Sequence, residues 1–243
     1  MGFKSKNHSS KTDLNEISGL IPFLKVNIYN QSGITVDVLS IGPLRTNVGL
    51  VICQGYGIVI DAPPESAETI FSIALEKKIS LKALLITHYH WDHIGSASIF
   101  RKKGLAVYAY ALDAPFIEHT ARAKLLLPLD FSIESCKVDH ILSDGENFML
   151  QELSIQALWI PGHTEGGAAY YFKDLSICFV GDTLFAGTVG RSDLPGGNKH
   201  ALFENIRKKL YSLPDEIQVI PGHGWLTTIG KEKKENSYVR PKK

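Results

Sequence analysis

The chain has 243 residues, 26 basic and 25 acidic side chains for a formal net charge of +1, and 44% apolar residues. That length buries a sizeable core in one large or two small domains. The balanced charge gives no general field to draw nucleic acid or an anionic membrane, and no apolar run approaches the ~18 residues of a membrane span.

The opening residues, MGFKSKNHSSKTDLNE, are polar and lysine-bearing and lack the apolar stretch of a secretory signal. Lys6 stands where a myristoylation signal needs Ser or Thr. Residues 1–20 are therefore expected to be a disordered tail before a single domain at 21–243. Cys53, Cys136 and Cys178 have no CxxC spacing and are read as reduced thiols of a cytoplasmic protein.

Four β-like runs follow, LKVNIYN, ITVDVLSI, NVGLVICQ and GIVIDAP, separated by turn residues as in an antiparallel meander. PESAETIFSIALEKKI has helical periodicity with acidic residues early and lysines late, as the helix dipole favours. LKALLIT is continuously apolar, the pattern of a strand covered on both faces. GSASIFRKKG reads as a helix closed by Gly104, LAVYAY as a strand and DAPFIEHTARAKLL as helical. In the second half FMLQELSIQALWIPGH, AAYYFKD and SICFVGDTLF read as strands, NKHALFENIRKKLYSL as a helix and EIQVIPGHG as a last strand with its loop. With no Pro/Ser/Gly-rich linker between the halves, the pattern predicts one α+β domain of two packed sheets covered by helices.

The polar residues that interrupt this pattern lie where strands end. In LLITHYHWDHIGSA, His88, His90 and Asp92 alternate after the strand and can share one side, while His93 breaks the alternation. His163 closes ALWIPGH, Asp182 closes SICFVGD and His223 closes QVIPGH. Strand exits are where loops carry ligands on a rigid scaffold. Taken singly, PGH and GD are ordinary turn sequences, and a lone histidine there is usually solvated. HxHxDH joined to three further ligand types is different. Five histidines and two aspartates suit a pair of borderline divalent ions about 3.5–4 Å apart.

From about Val26 to Thr228 the sequence resembles the metallo-β-lactamase superfamily, whose signature is HxHxDH followed by separate His, Asp and His ligands. The resemblance implies a four-layer αββα sandwich with the metals at one edge of the sheets. It implies that His88, His90 and His163 hold one ion, that Asp92, His93 and His223 hold a second, and that Asp182 bridges them. Zinc is the first expectation, with iron or manganese as substitutes.

Two such ions imply hydrolysis by a bridging hydroxide, with Asp92, or water bound to the second ion, shuttling the remaining proton. Thioesters suit the site, because a thiolate with a pKa near ~8.5 leaves without a general acid. GHTEGGAAYY, GDTLFAGTVGRSDLPGG and PGHGWLTTIGKEKKEN together resemble the short glyoxalase II-like hydrolases, which cleave S-D-lactoylglutathione and related thioesters. Asp182, not Cys, at the bridging position counts against an antibiotic substrate, and His90 in place of Glu counts against a flavodiiron protein. In full-length glyoxalase II lysine and tyrosine contacts precede a C-terminal helical domain. Here that region reads GRSDLPGG, and only Gly224 to Lys243 follow His223. Arg191 can grip a substrate carboxylate through its planar fork or tie down the Gly-rich loop. Glutathione as carrier stays open, as does the oligomeric state; nucleic acid and membrane are not expected partners. GRSD also resembles the GRTD of persulfide dioxygenases, which use one iron in this fold, and that activity is the alternative. A non-catalytic metal-binding protein is a third reading, against which the retention of all seven ligand types counts. Asp61, at the end of GIVID, is a candidate partner for a ligand histidine.

Overall fold

The computed structural model describes residues 24–120 and 132–241. The expected tail at 1–20 lies outside them, as does the DAPFIEHTARAKLL stretch beyond Thr120. The first half opens with the expected meander of β1 (Leu24–Gln31), β2 (Ile34–Ile41), β3 (Thr46–Cys53) and β4 (Tyr56–Ile60). There follow α1 (Ser66–Glu76), β5 (Ser80–Leu85), α2 (Trp91–Ile94), α3 (Ala97–Lys102), β6 (Ala106–Tyr110), α4 (Ala114–Glu118) and β7 (His140–Leu142). Because a crossover separates each of these later strands, β5, β6 and β7 add to β4 in parallel, and the sheet runs β1 to β7 in sequence order.

The second half comprises β8 (Asn147–Leu150), β9 (Leu153–Trp159), β10 (Ala168–Phe172), β11 (Ile177–Gly181), the small hairpin β12 (Leu184–Phe185) and β13 (Thr188–Val189), α5 (Lys199–Asn205), β14 (Gln218–Pro221), β15 (Thr227–Thr228) and α6 (Ile229–Glu235). Its sheet has the order β15-β14-β11-β10-β9-β8. Only β11 and β14 pair in parallel.

The short strands β7, β12 and β13 are not expected from the sequence, where SICFVGDTLF reads as one strand, and three further elements differ from the sequence expectation. FMLQELSIQALW is two strands and not one. Gln151 turns the chain at φ 55°, and Leu150 pairs with Leu153, so that both leucines stay against the inter-sheet core. The helix beginning at Lys199 opens after Asn205 into a wider π turn over Ile206–Leu210, which keeps Ile206 and Leu210 buried. IGKEKKE forms α6, capped by Thr228 Oγ1, which accepts from the Lys231 N–H at 3.2 Å.

Strand alternation sorts the apolar residues into three layers of contact. Leu50 and Val59 face α1 and α3 together with Ile70 and Phe100. Val51, Ile60, Leu85, Tyr170 and Phe179 meet between the sheets. Tyr171, Cys178 and Val219 face Leu202, Ile206 and Leu210 outside the second sheet. The result is the α+β sandwich, helix, sheet, sheet, helix, in one domain. No helix among the described residues is long and apolar enough to cross a membrane.

Phe179 packs edge-on against Phe172 at 5.8 Å in the middle layer. Phe179→Ala leaves a cavity between the sheets and is expected to cost about 3–5 kcal/mol. Thermal unfolding should show a fall of roughly 10 °C; an unchanged Tm would mean the two sheets do not depend on this contact.

Candidate metal centre

Five strands release polar residues at one end of the sandwich. β4 leads to Asp61, β5 to His88, His90, Asp92 and His93, β9 to His163, β11 to Asp182 and β14 to His223. The parallel pairs β4/β5 and β11/β14 make these exits coincide. His93, out of step with the alternation after β5, is returned to the site by α2, whose first turn is closed by its N–H donating to His90 O at 2.8 Å.

Two links lock the ends of the sheets together. Asn47 at the start of β3 donates from its backbone to Gly222 O (2.7 Å) and from its side chain to Pro221 O (2.9 Å) and Gly224 O (3.0 Å). On the other side, the Ala168 N–H donates to Thr87 O at 2.8 Å.

Hydrogen bonds to the far side of four imidazoles assign their tautomers. Thr87 Oγ1 gives its only proton to the Asp61 carboxylate, 2.8 Å from Oδ2, so it accepts from His88 Nδ1 at 3.1 Å. His93 Nδ1 donates to Asp61 Oδ2 at 2.8 Å. His163 Nδ1 donates to Arg191 O at 2.7 Å and His223 Nδ1 to Leu44 O at 3.1 Å. In each ring Nε2 is left to face the site. His90 is reversed: its Nδ1 faces inward, and its buried Nε2 has no hydrogen-bond partner among the described residues. Asp61 thus orients two of the rings, His93 directly and His88 through Thr87, as its place at the end of β4 predicted.

The inward atoms form two groups. His88 Nε2, His90 Nδ1 and His163 Nε2 make a near-equilateral triangle with edges of 3.1, 2.9 and 3.2 Å. These edges are close to the ~3.3 Å expected between nitrogens around an ion with tetrahedral bonds of ~2.0–2.1 Å. Asp92, His93 and His223 make the second group, with His223 Nε2 at 3.1 Å and His93 Nε2 at 3.6 Å from Asp92 Oδ2. Asp182 lies between them, Oδ1 at 3.4 Å from His93 Nε2 and Oδ2 at 3.6–3.7 Å from His223 and His163 Nε2.

Electrostatics divides the groups. Burial lowers the pKa values of His88, His90 and His163, and neighbouring imidazoles add to the fall for His88 and His90; that of His90 drops to about 3. Burial also acts on His93 and His223, but carboxylates outweigh it and raise both, Asp61, Asp92 and Asp182 for His93, and Asp92 and Asp182 for His223. Burial pushes Asp92 and Asp182 up, and His93 and His223 more than reverse that, so both carboxyls stay ionised.

These residues fit metal ions. The buried His93 Nε2 and Asp182 Oδ1 face each other without a hydrogen bond, and three bare imidazole nitrogens converge on a common point. Unpartnered buried donors and acceptors of this kind are costly unless an ion satisfies them. An imidazole and carboxylate set suits zinc, iron or manganese.

The packing around Asp182 also explains a motif that the sequence leaves ambiguous. A Cβ on Gly222, in the second PGH, would collide with Asp182 Oδ1 and come within 2.7 Å of His93 Cε1. Glycine there allows the close approach of two site residues. Arg191, the candidate substrate contact, does two different things. Its carbonyl orients His163, and its exposed guanidinium makes a bidentate pair with Asp193, both bonds 2.9 Å.

Asp113, which no spacing in the sequence marks, is buried beside the site. Its Oδ2 accepts from the Tyr89 N–H (3.0 Å) and Thr164 Oγ1 (2.9 Å), and its Oδ1 from the Gly166 N–H (2.8 Å). Burial pushes its pKa up to about 7 against the pull of these three donors.

Comparison with known proteins agrees with this geometry. Residues 41–223 match the family described as the metallo-beta-lactamase superfamily. The chain belongs to that superfamily. Among its relatives is the hydroxyacylglutathione hydrolase GloC of Haemophilus influenzae, 30% identical over 212 residues, covering 85% of this chain and 99% of the relative. Solved structures of similar proteins include the B3 metallo-beta-lactamase BLEG-1, with a TM-score of 0.79 and 28% identity over 84% of this chain and 99% of the other. Another is TTHA1623 in a di-iron-bound form, with a TM-score of 0.70 and 36% identity over 82% of this chain and 98% of the other. As a metallo-hydrolase of this superfamily, the protein uses a metal site on the αββα scaffold.

Gly222→Ala should lower metal content measured by elemental analysis, because the methyl would collide first with Asp182 Oδ1 and His93 Cε1, with the Gly181 backbone next at 3.2 Å. Full metal content in the variant would show that the loop yields to a methyl group.

Proposed function

We propose that the protein is a two-metal thioesterase acting on S-D-lactoylglutathione or a related acyl-thioester. The observation that carries this reading is the pair of His/Asp groups with Asp182 between them. In it, His88, His90 and His163 hold one divalent ion, Asp92, His93 and His223 hold the second, and Asp182 serves both. Zinc is the first choice of metal, and the di-iron form of TTHA1623 keeps iron as a substitute.

Two such ions, when bound, supply hydroxide at neutral pH and polarise a carbonyl. The chain's own residues do the rest. Asp92, ionised and with Oδ2 3.1 Å from His223 Nε2, is placed to accept the hydroxyl proton of the tetrahedral adduct, which would otherwise stay on the acid product. The C–S bond then breaks and the thiol sulfur leaves as thiolate, which needs no protonation near neutral pH. The relative named as a hydroxyacylglutathione hydrolase supports the same substrate class.

The test is metal analysis of protein purified without added metal, with the same sample assayed on S-D-lactoylglutathione, a cephalosporin and glutathione persulfide. Near two metal equivalents with thioester cleavage is expected. One iron with oxygen uptake on the persulfide would replace the hydrolase with a dioxygenase, and turnover of the cephalosporin alone would replace the substrate class.

Arg191 is proposed to take a carboxylate of the substrate. Its pair with Asp193 is exposed on both sides, where solvent screens the attraction, so a substrate can displace it. Arg191→Ala should raise KM for a carboxylate-bearing thioester more than it lowers kcat, and Asp193→Asn should lower that KM by up to about fivefold. Equal effects on a neutral thioester would remove the carboxylate-binding role.

A further inference from the structure

The three-histidine group draws His88 and His90 from the first sheet and His163 from the second, so its 2.9–3.2 Å spacings depend on the distance between two loops. Asp113 spans that distance. It accepts from the N–H of Tyr89, which lies between His88 and His90, and from Thr164 and Gly166, which follow His163. It is itself held at the end of the chain segment after β6, its N–H donating to Tyr110 O at 3.1 Å and its carbonyl accepting from the Phe116 N–H at 3.0 Å. The fit leaves no slack: a Cβ on Gly166 would lie 2.5 Å from Asp113 Oδ1 and 2.7 Å from its Cγ. Asp61, the other buried carboxylate of the region, bonds to Thr87 and His93 and makes no hydrogen bond to the His163 loop among the described residues.

We infer that Asp113 is the positioning residue that sets the affinity of the three-histidine group for its ion, by clamping the His88–His90 loop to the His163 loop. The inference rests on the two-ion assignment made above and not on the thioester substrate. A carboxylate is required because three donors converge on two oxygens. An asparagine at 113 has one carbonyl oxygen, so at least one backbone N–H, of Tyr89 or Gly166, would face an NH2 donor. Partners that orient a metal's ligands typically change its affinity by ten- to a hundredfold when removed.

The experiment is competition for zinc with a chromophoric chelator, using the wild type, Asp113→Asn, Thr164→Val and Thr164→Ser, beside thermal unfolding of each metal-free protein. Asp113→Asn and Thr164→Val are expected to weaken one of the two zinc equivalents by about tenfold or more and to leave the other near its wild-type affinity. Thr164→Ser, which keeps the hydroxyl, should restore the first equivalent. If Asp113→Asn does not fold, the Thr164 pair decides alone. Two zinc equivalents bound as in the wild type, or both weakened alike in a folded variant, would overturn the inference and leave Asp113 as a structural residue. A wild type that binds two zinc ions but cleaves no thioester would overturn the proposed substrate and leave the Asp113 result standing. A wild type that binds no zinc would overturn both.

Discussion

A single buried carboxylate, Asp61, organises the centre. It sits at the exit of β4 in left-handed backbone, φ 61°, a conformation that costs an ordinary residue about 1–2 kcal/mol and that aspartate tolerates better than most. The kink turns its side chain onto Thr87, whose N–H and hydroxyl it accepts, and onto His93. Through these bonds the ring orientations of His88 and His93 are settled before any ligand arrives. Without that carboxylate, both rings could flip or change tautomer, and the bare nitrogens that define the site would no longer be aimed at it.

Two of the other three rings are aimed by backbone carbonyls, at Arg191 for His163 and at Leu44 for His223. This gives the GRSD loop a role that its side chains do not reveal. The carbonyl of Arg191 serves the centre from within, while its guanidinium points to Asp193 at the surface. The electrostatic outcome is asymmetric. One group is three imidazoles whose pKa values burial lowers, and the other mixes carboxylates with imidazoles whose pKa values those carboxylates raise.

Much of this was legible in the sequence where the information is local. His88, His90, Asp92 and His93 fall within one turn of chain, and the apolar runs before His163, Asp182 and His223 mark strand exits. The sandwich followed from the meander in the first half and the alternation of strands and helices after it. What stayed hidden depends on contacts between distant segments. Asp113 is one carboxylate in a stretch read as helix, and its three donors lie more than twenty residues away in sequence. Gly222 looked like part of a turn, because a collision with Asp182 cannot be read from Pro-Gly-His. The β8–β9 hairpin was missed because a two-residue polar turn, Gln151-Glu152, scarcely interrupts an apolar run.

Each of the two His/Asp groups takes residues from both sheets: the first joins the β5 exit to the β9 exit, the second joins the β5 exit to the β14 exit. Asn47 and the Ala168–Thr87 bond pin the sheets together at this same end. An ion in either group would therefore act as a rivet through two plates that are already pinned beside it. Sliding of one sheet over the other, the soft motion of a sandwich, would have to pivot about the centre and be felt mostly at the opposite rim. Mechanically, the rigidity of the fold and the spacing of the site are one property.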